Sequence, residues 1–396
     1  MSATADQENE PCPVDGTPQR LLLIGPSPDL VRAAVGAGFV VRIISDTPVP
    51  PDDRIPPGVP VDLVDLADGA ALAEAIELSV RVHGTQRLLA CAGTAELPAV
   101  AGTAARLRVT PNPADAARLL SEPAAMRALL NGSRHSYVPA ARARSAQELP
   151  AAVEQIGGPV TVRSLPSGAE EPGCPSAAGG RAYLVERYLQ GPEYGVVTLT
   201  VDGMHRVVGV VALHGAWQAG CHLFPAPLPE RDEAEARALV TELLDLAGYE
   251  FGYAYTVVVL TADGPRVVRS RAAYPEEPVA SLIEAATGFR ADEELVQALA
   301  GKPVGVPTAD RYAAVASYRL PAGRLLSVSG LEAVSELAGV HRVHFPYRSG
   351  DDIPGDGHGG EGYVMLTADS PQEVAGVVAA VGKLLRAEVS RRPDQV

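Results

Sequence analysis

Two closely spaced arginines are the side chains of this sequence best suited to bind a charged ligand. Arg269 and Arg271 are two residues apart in a stretch predicted to be a β-strand, residues 265–271. Because side chains alternate between the faces of a strand, both guanidinium groups are expected on the same face. Two adjacent guanidinium forks can bind a phosphate or a carboxylate. The simpler alternative is a solvent-exposed sheet face, since arginine is the usual basic residue of this chain.

Other residues with metal-binding side chains do not form a known motif. His214, Cys221 and His222 do not have the spacing of a zinc site, and the four cysteines include no Cys-x-x-Cys pair. The acidic stretch from Asp351 to Asp356 does not have the spacing of an EF-hand loop. We therefore predict no metal site.

The charge composition limits the class of partner. The chain of 396 residues has 48 acidic and 33 basic side chains, a net charge of -15, which argues against nucleic acid or an anionic membrane surface as partner. Only Lys302 and Lys383 are lysines, so no phosphate-binding lysine precedes residue 302.

Residues 1–19 lack the apolar centre of a signal peptide, and no apolar run approaches the roughly 20 residues of a membrane-spanning helix. We expect a cytoplasmic protein.

The N-terminal part alternates predicted strands and helices. Short apolar runs at residues 21–24, 39–44, 61–66 and 87–90 predict strands, and residues 30–37 and 70–83 predict helices, the first capped by Asp29. This alternation is typical of a doubly wound parallel sheet. We therefore predict an α/β domain here.

The rest of the chain mixes helices with paired strands. Asp202-Gly203 and Asp263-Gly264 each separate two apolar runs and predict β-hairpins. Predicted helices cover residues 114–130, interrupted at Pro123, and also residues 146–156, 230–247 and 371–388. Predicted strands near residues 159–163, 182–189, 313–319 and 363–367 complete an α+β pattern.

Several separated segments, taken together, resemble the ATP-grasp superfamily, particularly the carboxylate–amine ligases that join amino acids. The matching residues are 111–113, 125–127, 139, 158–163, 184–194, 220–225, 287–288 and 323–331. The resemblance extends over nearly the whole chain, from Arg20 to Arg386. It implies a disordered tail at residues 1–19, an N-terminal Rossmann-like domain at 20–112, an ATP-grasp-like central domain at 113–305 with an antiparallel sheet, and a small C-terminal α+β domain at 306–396.

The resemblance also implies a chemistry, but the residues for it have changed. These ligases form an acyl phosphate from ATP, and they hold the phosphates with two lysines, a flexible loop and two magnesium ions. By resemblance, the two lysine positions are occupied here by Pro123 and Arg163. The three metal-ligand positions are occupied by Val257, Arg269 and Arg271, and the position of a family arginine is occupied by Ala273. The loop corresponds to residues 165–181, where Glu170 and Glu171 would repel phosphate. Since magnesium needs oxygen ligands, we predict that its site is lost.

The part of the family pattern that binds adenosine is better preserved. By resemblance, Glu186 contacts adenine, the backbone of Leu189 provides the hinge contact, and Glu193 lies near the ribose. The alternatives are that Glu186 is a solvated strand residue and that Glu193 is a surface acid at the end of a loop.

Three hypotheses follow from these observations. The first is a pseudoenzyme of specialised biosynthesis that binds an amino-acid-like small molecule or a catalytically intact ATP-grasp relative. The second is a divergent ATP-dependent amino-acid ligase that binds phosphates with Arg163, Arg269 and Arg271. The third is a metal-free catalyst or binder that uses the old substrate cleft. ATP without magnesium is the one cofactor considered, and we expect a homo-oligomer.

Overall fold

The computed structural model describes residues 18–47, 55–91, 97–133, 136–165, 181–213, 220–354 and 361–390. Several predictions therefore lie outside the described residues: most of the N-terminal tail, the loop segment with Glu170 and Glu171, and the candidate ligands His214 and Asp356. None of the described helices has both the length and the apolar character needed to cross a bilayer.

The N-terminal part is a parallel sheet with helices on both faces. Its elements are β1 (Arg20–Ile24), α1 (Pro28–Gly36), β2 (Val40–Ser45), β3 (Val61–Leu63), α2 (Gly69–His83), β4 (Arg87–Ala90) and α3 (Pro98–Leu107). The strand order is β3-β2-β1-β4. Along the central strand β1, Leu23 packs on the side of α1 whereas Leu22 packs on the side of α2 and α3. The predicted doubly wound sheet is confirmed.

Helix α1 begins at a different residue from the one predicted. The hydroxyl oxygen of Ser27 accepts a hydrogen bond from the backbone N–H of Leu30 at 3.0 Å, so Ser27 is the N-cap. Pro28 follows at the first helical position, where its missing N–H costs nothing. Asp29 lies in the first turn instead and forms an ion pair with Arg32 at 2.8 Å. The predicted Asp29 cap is therefore wrong.

A small antiparallel sheet follows two short helices. The elements are α4 (Ala116–Ser121), α5 (Pro123–Gly132), β5 (Ala140–Ala143), α6 (Leu149–Ile156), β6 (Val160–Ser164) and β7 (Tyr183–Arg187). The strand order is β5-β7-β6, and Val185 of the central strand is buried against Ala152 and Ile156 of α6. Pro123 starts α5, since it can occupy a first helical turn but not a helix interior.

The largest sheet has eight antiparallel strands. The remaining elements of the chain are β8 (Glu193–Val201), β9 (Met204–Ala212), β10 (Cys221–Phe224), α7 (Glu230–Ala247), β11 (Phe251–Thr261), β12 (Gly264–Arg271), α8 (Val279–Thr287), α9 (Ala291–Leu299), β13 (Tyr312–Arg319), β14 (Gly323–Ser329), α10 (Leu331–Ser335), β15 (Val340–His344), β16 (Asp352–Ile353), β17 (Glu361–Ala368), α11 (Pro371–Leu384) and β18 (Arg386–Ser390). The order in the large sheet is β12-β11-β8-β9-β10-β13-β17-β15. In β8, Val196 and Val197 enter different apolar clusters because neighbouring side chains point to opposite faces.

The two predicted hairpins form, one of them with a shifted turn. Asp202 and Gly203 have φ of 51° and 70° and connect β8 to β9, as expected for Asp-Gly in a tight hairpin. The second turn consists of Ala262 and Asp263, because Gly264 already pairs with Thr261 as the first residue of β12.

The C-terminal helix is shorter than predicted. Helix α11 ends at Leu384, and residues predicted to continue it form β18. In β18, Ala387 pairs with Val328 and Val389 pairs with Leu325 of β14, within a sheet ordered β16-β14-β18. Pairing with a strand distant in sequence overrides the local helical preference here.

Candidate functional site

Arg269 and Arg271 lie at the end of β12 and share one face of the large sheet. Ser270, between them, is buried and its hydroxyl hydrogen-bonds that of Thr256 on β11 at 2.8 Å. Arg269 is exposed, and Nη1 of Arg271 donates to Oε1 of Glu276 at 2.9 Å. Among the described residues Arg269 makes no hydrogen bond or ion pair of its own. A guanidinium is thus available to an anion at this face.

Both arginines border a cavity of about 460 Å³, which we call the arginine cavity. Glu193, His222 and Tyr255 also line it, together with residues 274–279. The structure therefore brings Glu193, a predicted ribose contact, to the same cavity as the two arginines.

Tyr255 forms part of the wall of the arginine cavity. Burial is the main reason that its pKa is raised to about 12, while the guanidinium of Arg269 acts in the opposite direction and Glu193 adds to the increase. The phenol is therefore neutral at physiological pH and can act as a hydrogen-bond donor. Its ring lies directly over Gly195 of β8, where a Cβ atom would be 2.5 Å from the Tyr255 hydroxyl.

The other positions that the resemblance assigns to magnesium chemistry do not fit that ion. Val257 is fully buried in the apolar core and has no oxygen in its side chain to offer. Arg269 and Arg271 are cations where the ion needs oxygen ligands. Within the described part of the chain, no group of three or more histidine, cysteine or acidic side chains is arranged to hold a metal. We therefore derive no step through magnesium.

Glu186 lies in a buried ion-pair network on the small sheet. Nε of Arg127 donates to Oε1 of Glu186 at 2.5 Å, and Nη2 of Arg127 donates to the carbonyl oxygen of Val267 at 2.6 Å. Nε of Arg163 lies 3.3 Å from Oε2 of Glu186 without forming a hydrogen bond. Since Glu186 is only 4% exposed, the alternative of a solvated strand residue is wrong. Both of its oxygens face internal arginines.

Sequence reasoning did not assign a role to Arg127. This residue is 2% exposed on α5, beside Met126 and near Leu130, which are both buried. Burial lowers the pKa of Arg127 and the ion pair with Glu186 opposes that effect. One feature of the sequence could have indicated this role: Arg127 is a charged residue on the apolar side of a predicted helix, and a charge buried there requires a partner. Through Val267, Arg127 also connects the small sheet to β12, two residues before Arg269.

The remaining predicted residues lie outside these two groups. Leu189 follows β7, is half-buried and does not line the arginine cavity. Cys221 is buried on β10, and burial raises its thiol pKa to about 12, so it is protonated rather than a thiolate ligand at neutral pH. Asp351 accepts a hydrogen bond from the backbone N–H of Arg348 at 2.7 Å, as expected of a polar loop.

Comparisons with known proteins agree with this architecture. The family model for L-amino acid ligase C-terminal domain 2 matches residues 318–390. Among curated proteins, none matches the chain. L-amino acid ligase from Bacillus licheniformis is similar in structure, with a TM-score of 0.73, 17% identity, and coverage of 94% of this chain and 99% of that one.

Two further solved structures are similar over most of the chain. For N5-carboxyaminoimidazole ribonucleotide synthetase from Thermotoga maritima, the TM-score is 0.65 at 16% identity, covering 94% of this chain and 100% of that one. For biotin carboxylase from Campylobacter jejuni, the TM-score is 0.60 at 12% identity, covering 94% and 92%. This chain therefore has the ATP-grasp fold of these structures, and its residues 318–390 match the C-terminal domain model of L-amino acid ligases.

Proposed function

We propose that this chain is a non-catalytic homologue of ATP-dependent amino-acid ligases that binds a small, amino-acid-like anion without magnesium. The observation that supports this proposal is the placement of Arg269 and Arg271 on one cavity, at positions that the resemblance assigns to metal ligands. A guanidinium of the protein binds the carboxylate of a small molecule directly through its planar fork. A protein carboxylate at the same position would repel that anion and would need a metal ion between the two negative groups.

The charges near the cavity argue against phosphoryl transfer. A transferred phosphoryl group needs several fixed cations around its oxygens. The first lysine position is Pro123, which has no charge, and the charge of Arg163 is partly neutralised by Glu186. Arg271 is already paired with Glu276, and Glu193 adds a negative charge to the cavity. Among the described residues that line the cavity, Arg269 is the one unpaired cation, which is sufficient for one carboxylate but not for a triphosphate.

A divergent ligase is the second candidate, and one observation favours it. Because Arg269 has no partner among the described residues, it could bind a terminal phosphate of ATP directly. This alternative predicts ATP binding that does not depend on magnesium, followed by ADP release when amino acids are present.

Calorimetry with ATP, in magnesium and in EDTA, separates these candidates. ADP release is then measured against a panel of single and paired amino acids. We expect no ADP release above the level without protein and binding of at least one amino acid that Arg269→Ala weakens. The control is Arg266→Ala, which removes the same charge from the same strand outside the cavity. ADP release that depends on magnesium, or amino-acid binding that is equal in both variants, would contradict the proposal.

A retained fold also retains surfaces for association. We propose that the chain forms a homo-oligomer or joins a catalytically intact ATP-grasp relative in cytoplasmic biosynthesis. Light scattering gives the mass of the purified protein, and co-purification from its native cell identifies a ligase partner. A monomer with no ligase partner would contradict this part of the proposal.

A further inference from the structure

A second cavity, of about 350 Å³, lies between the N-terminal sheet and the large sheet. We call it the interdomain cavity. Its wall is mainly apolar: side chains of β4 and α3, including Leu89, Val100 and Ala101, face Phe251 at the start of β11. Residues 274–276 separate it from the arginine cavity, since they line both. Its volume is within the range of pockets that enclose a small organic ligand.

The charged side chains that line the interdomain cavity are all acidic. They are Glu276 and Asp292, and the described residues of the lining include no arginine, lysine or histidine. Glu276 is compensated by its ion pair with Arg271. Asp292 accepts a hydrogen bond from the hydroxyl of Ser27 at 2.9 Å and forms no ion pair among the described residues. Its carboxylate is therefore held in place by a neutral donor. The guanidinium of Arg290 acts on it electrostatically but forms its ion pair with Glu293, so no described cation contacts the Asp292 carboxylate directly.

Aromatic rings lie beside this carboxylate. Tyr253 and Tyr274, which both line the cavity, have ring centroids 4.7 Å apart in an edge-to-face arrangement. The hydroxyl of Tyr253 donates to the carbonyl oxygen of Ala291 at 2.9 Å, which fixes the ring next to Asp292. Burial raises the pKa of both tyrosines, so both are neutral at physiological pH. The faces of neutral tyrosine rings attract organic cations.

We propose that the interdomain cavity binds a small apolar amine, with its ammonium group at Asp292 and its hydrocarbon part against α3 and Phe251. An amine is favoured over the parent amino acid because no cation among the described lining residues would compensate a ligand carboxylate, and an uncompensated buried charge is costly. Burial also raises the pKa of Asp292, an unfavourable effect on its ionised form that a bound ammonium would offset. This binding is independent of the anion binding proposed above.

Isothermal titration calorimetry with 2-phenylethylamine, without ATP or magnesium, tests this proposal. We expect saturable binding, with L-phenylalanine at least about tenfold weaker, a difference of about 1.4 kcal/mol. Asp292→Asn keeps an acceptor for Ser27 but removes the charge, and it should weaken amine binding by about tenfold or more. The matched control is Asp263→Asn, which removes the same charge from an exposed turn outside the cavity. It should leave the affinity unchanged.

A second variant tests the hydrocarbon part of the site. Ala101→Met places a longer side chain from α3 into the cavity and should abolish binding without changing Asp292. Circular dichroism confirms that each variant is folded. Absence of binding to the folded wild-type protein, equal affinity in Asp292→Asn, or tighter binding of L-phenylalanine would each overturn the proposal. Because the assay contains no nucleotide, its result does not depend on whether the chain hydrolyses ATP.

Discussion

The buried pair of Arg127 and Glu186 gives the sharpest prediction about stability. Arg127→Met keeps an unbranched apolar side chain in place of the arginine but removes the hydrogen bonds to Glu186 and to the carbonyl oxygen of Val267. Glu186 then keeps only Arg163, whose Nε lies 3.3 Å away without a hydrogen bond. Removing one partner of a buried ion pair costs about 3–5 kcal/mol. We expect the free energy of unfolding to fall by that amount.

Urea unfolding followed by circular dichroism measures this change. Replacing both members, Arg127→Met with Glu186→Leu, should be less destabilising than the sum of the single changes by about 2 kcal/mol, since no uncompensated carboxylate remains. The control is Arg118→Met on α4, where the ion pair with Glu122 is partly exposed and is expected to contribute at most about 1 kcal/mol. If Arg127→Met costs no more than Arg118→Met, or if the two changes are additive, the interpretation of this network is refuted.

Two further predictions concern packing and reactivity. Gly195→Ala would place a Cβ atom 2.5 Å from the hydroxyl of Tyr255, so we expect a loss of about 1–3 kcal/mol in urea unfolding. Gly102→Ala in helix α3 is the control, because a Cβ atom there would meet no other residue within 4 Å. It should raise the free energy of unfolding by about 0.5–1 kcal/mol. Equal effects of the two substitutions would contradict the packing argument. Burial raises the thiol pKa of Cys91 and of Cys221 to about 12, so both stay protonated at pH 8. Peptide mapping after iodoacetamide treatment should find them unlabelled in the native protein and labelled in urea, and rapid labelling of the native protein would refute the raised thiol pKa values.

The sequence predicted those features that depend on neighbouring residues. The apolar run of β1, the Asp202-Gly203 turn and the shared face of Arg269 and Arg271 all follow from local periodicity or turn chemistry. Its errors are also local. The predicted cap at Asp29 was displaced by Ser27, and the predicted C-terminal helix lost its last residues to β18, which pairs with β14.

The candidate site was only partly predictable. The sequence indicated that Arg269 and Arg271 could bind an anion, and the structure adds Glu193, His222 and Tyr255 to the same cavity. The sequence suggested an old substrate cleft but not the residues of the interdomain cavity, because Asp292 and Ser27 are 265 residues apart and only their packing reveals the contact.

By itself, the sequence determined the succession of strands and helices and the shared strand face of Arg269 and Arg271, because residue type and spacing are sufficient for both. Only the tertiary structure decided which charges neutralise one another. Arg127 and Glu186 are 59 residues apart, and whether Glu186 faces water or two arginines depends on how the small sheet packs on α5 and β12. The electrostatic interaction between two charges is weak in water and strong in a buried site. The role of a charged side chain therefore depends on where the fold places it and not on its position in the chain.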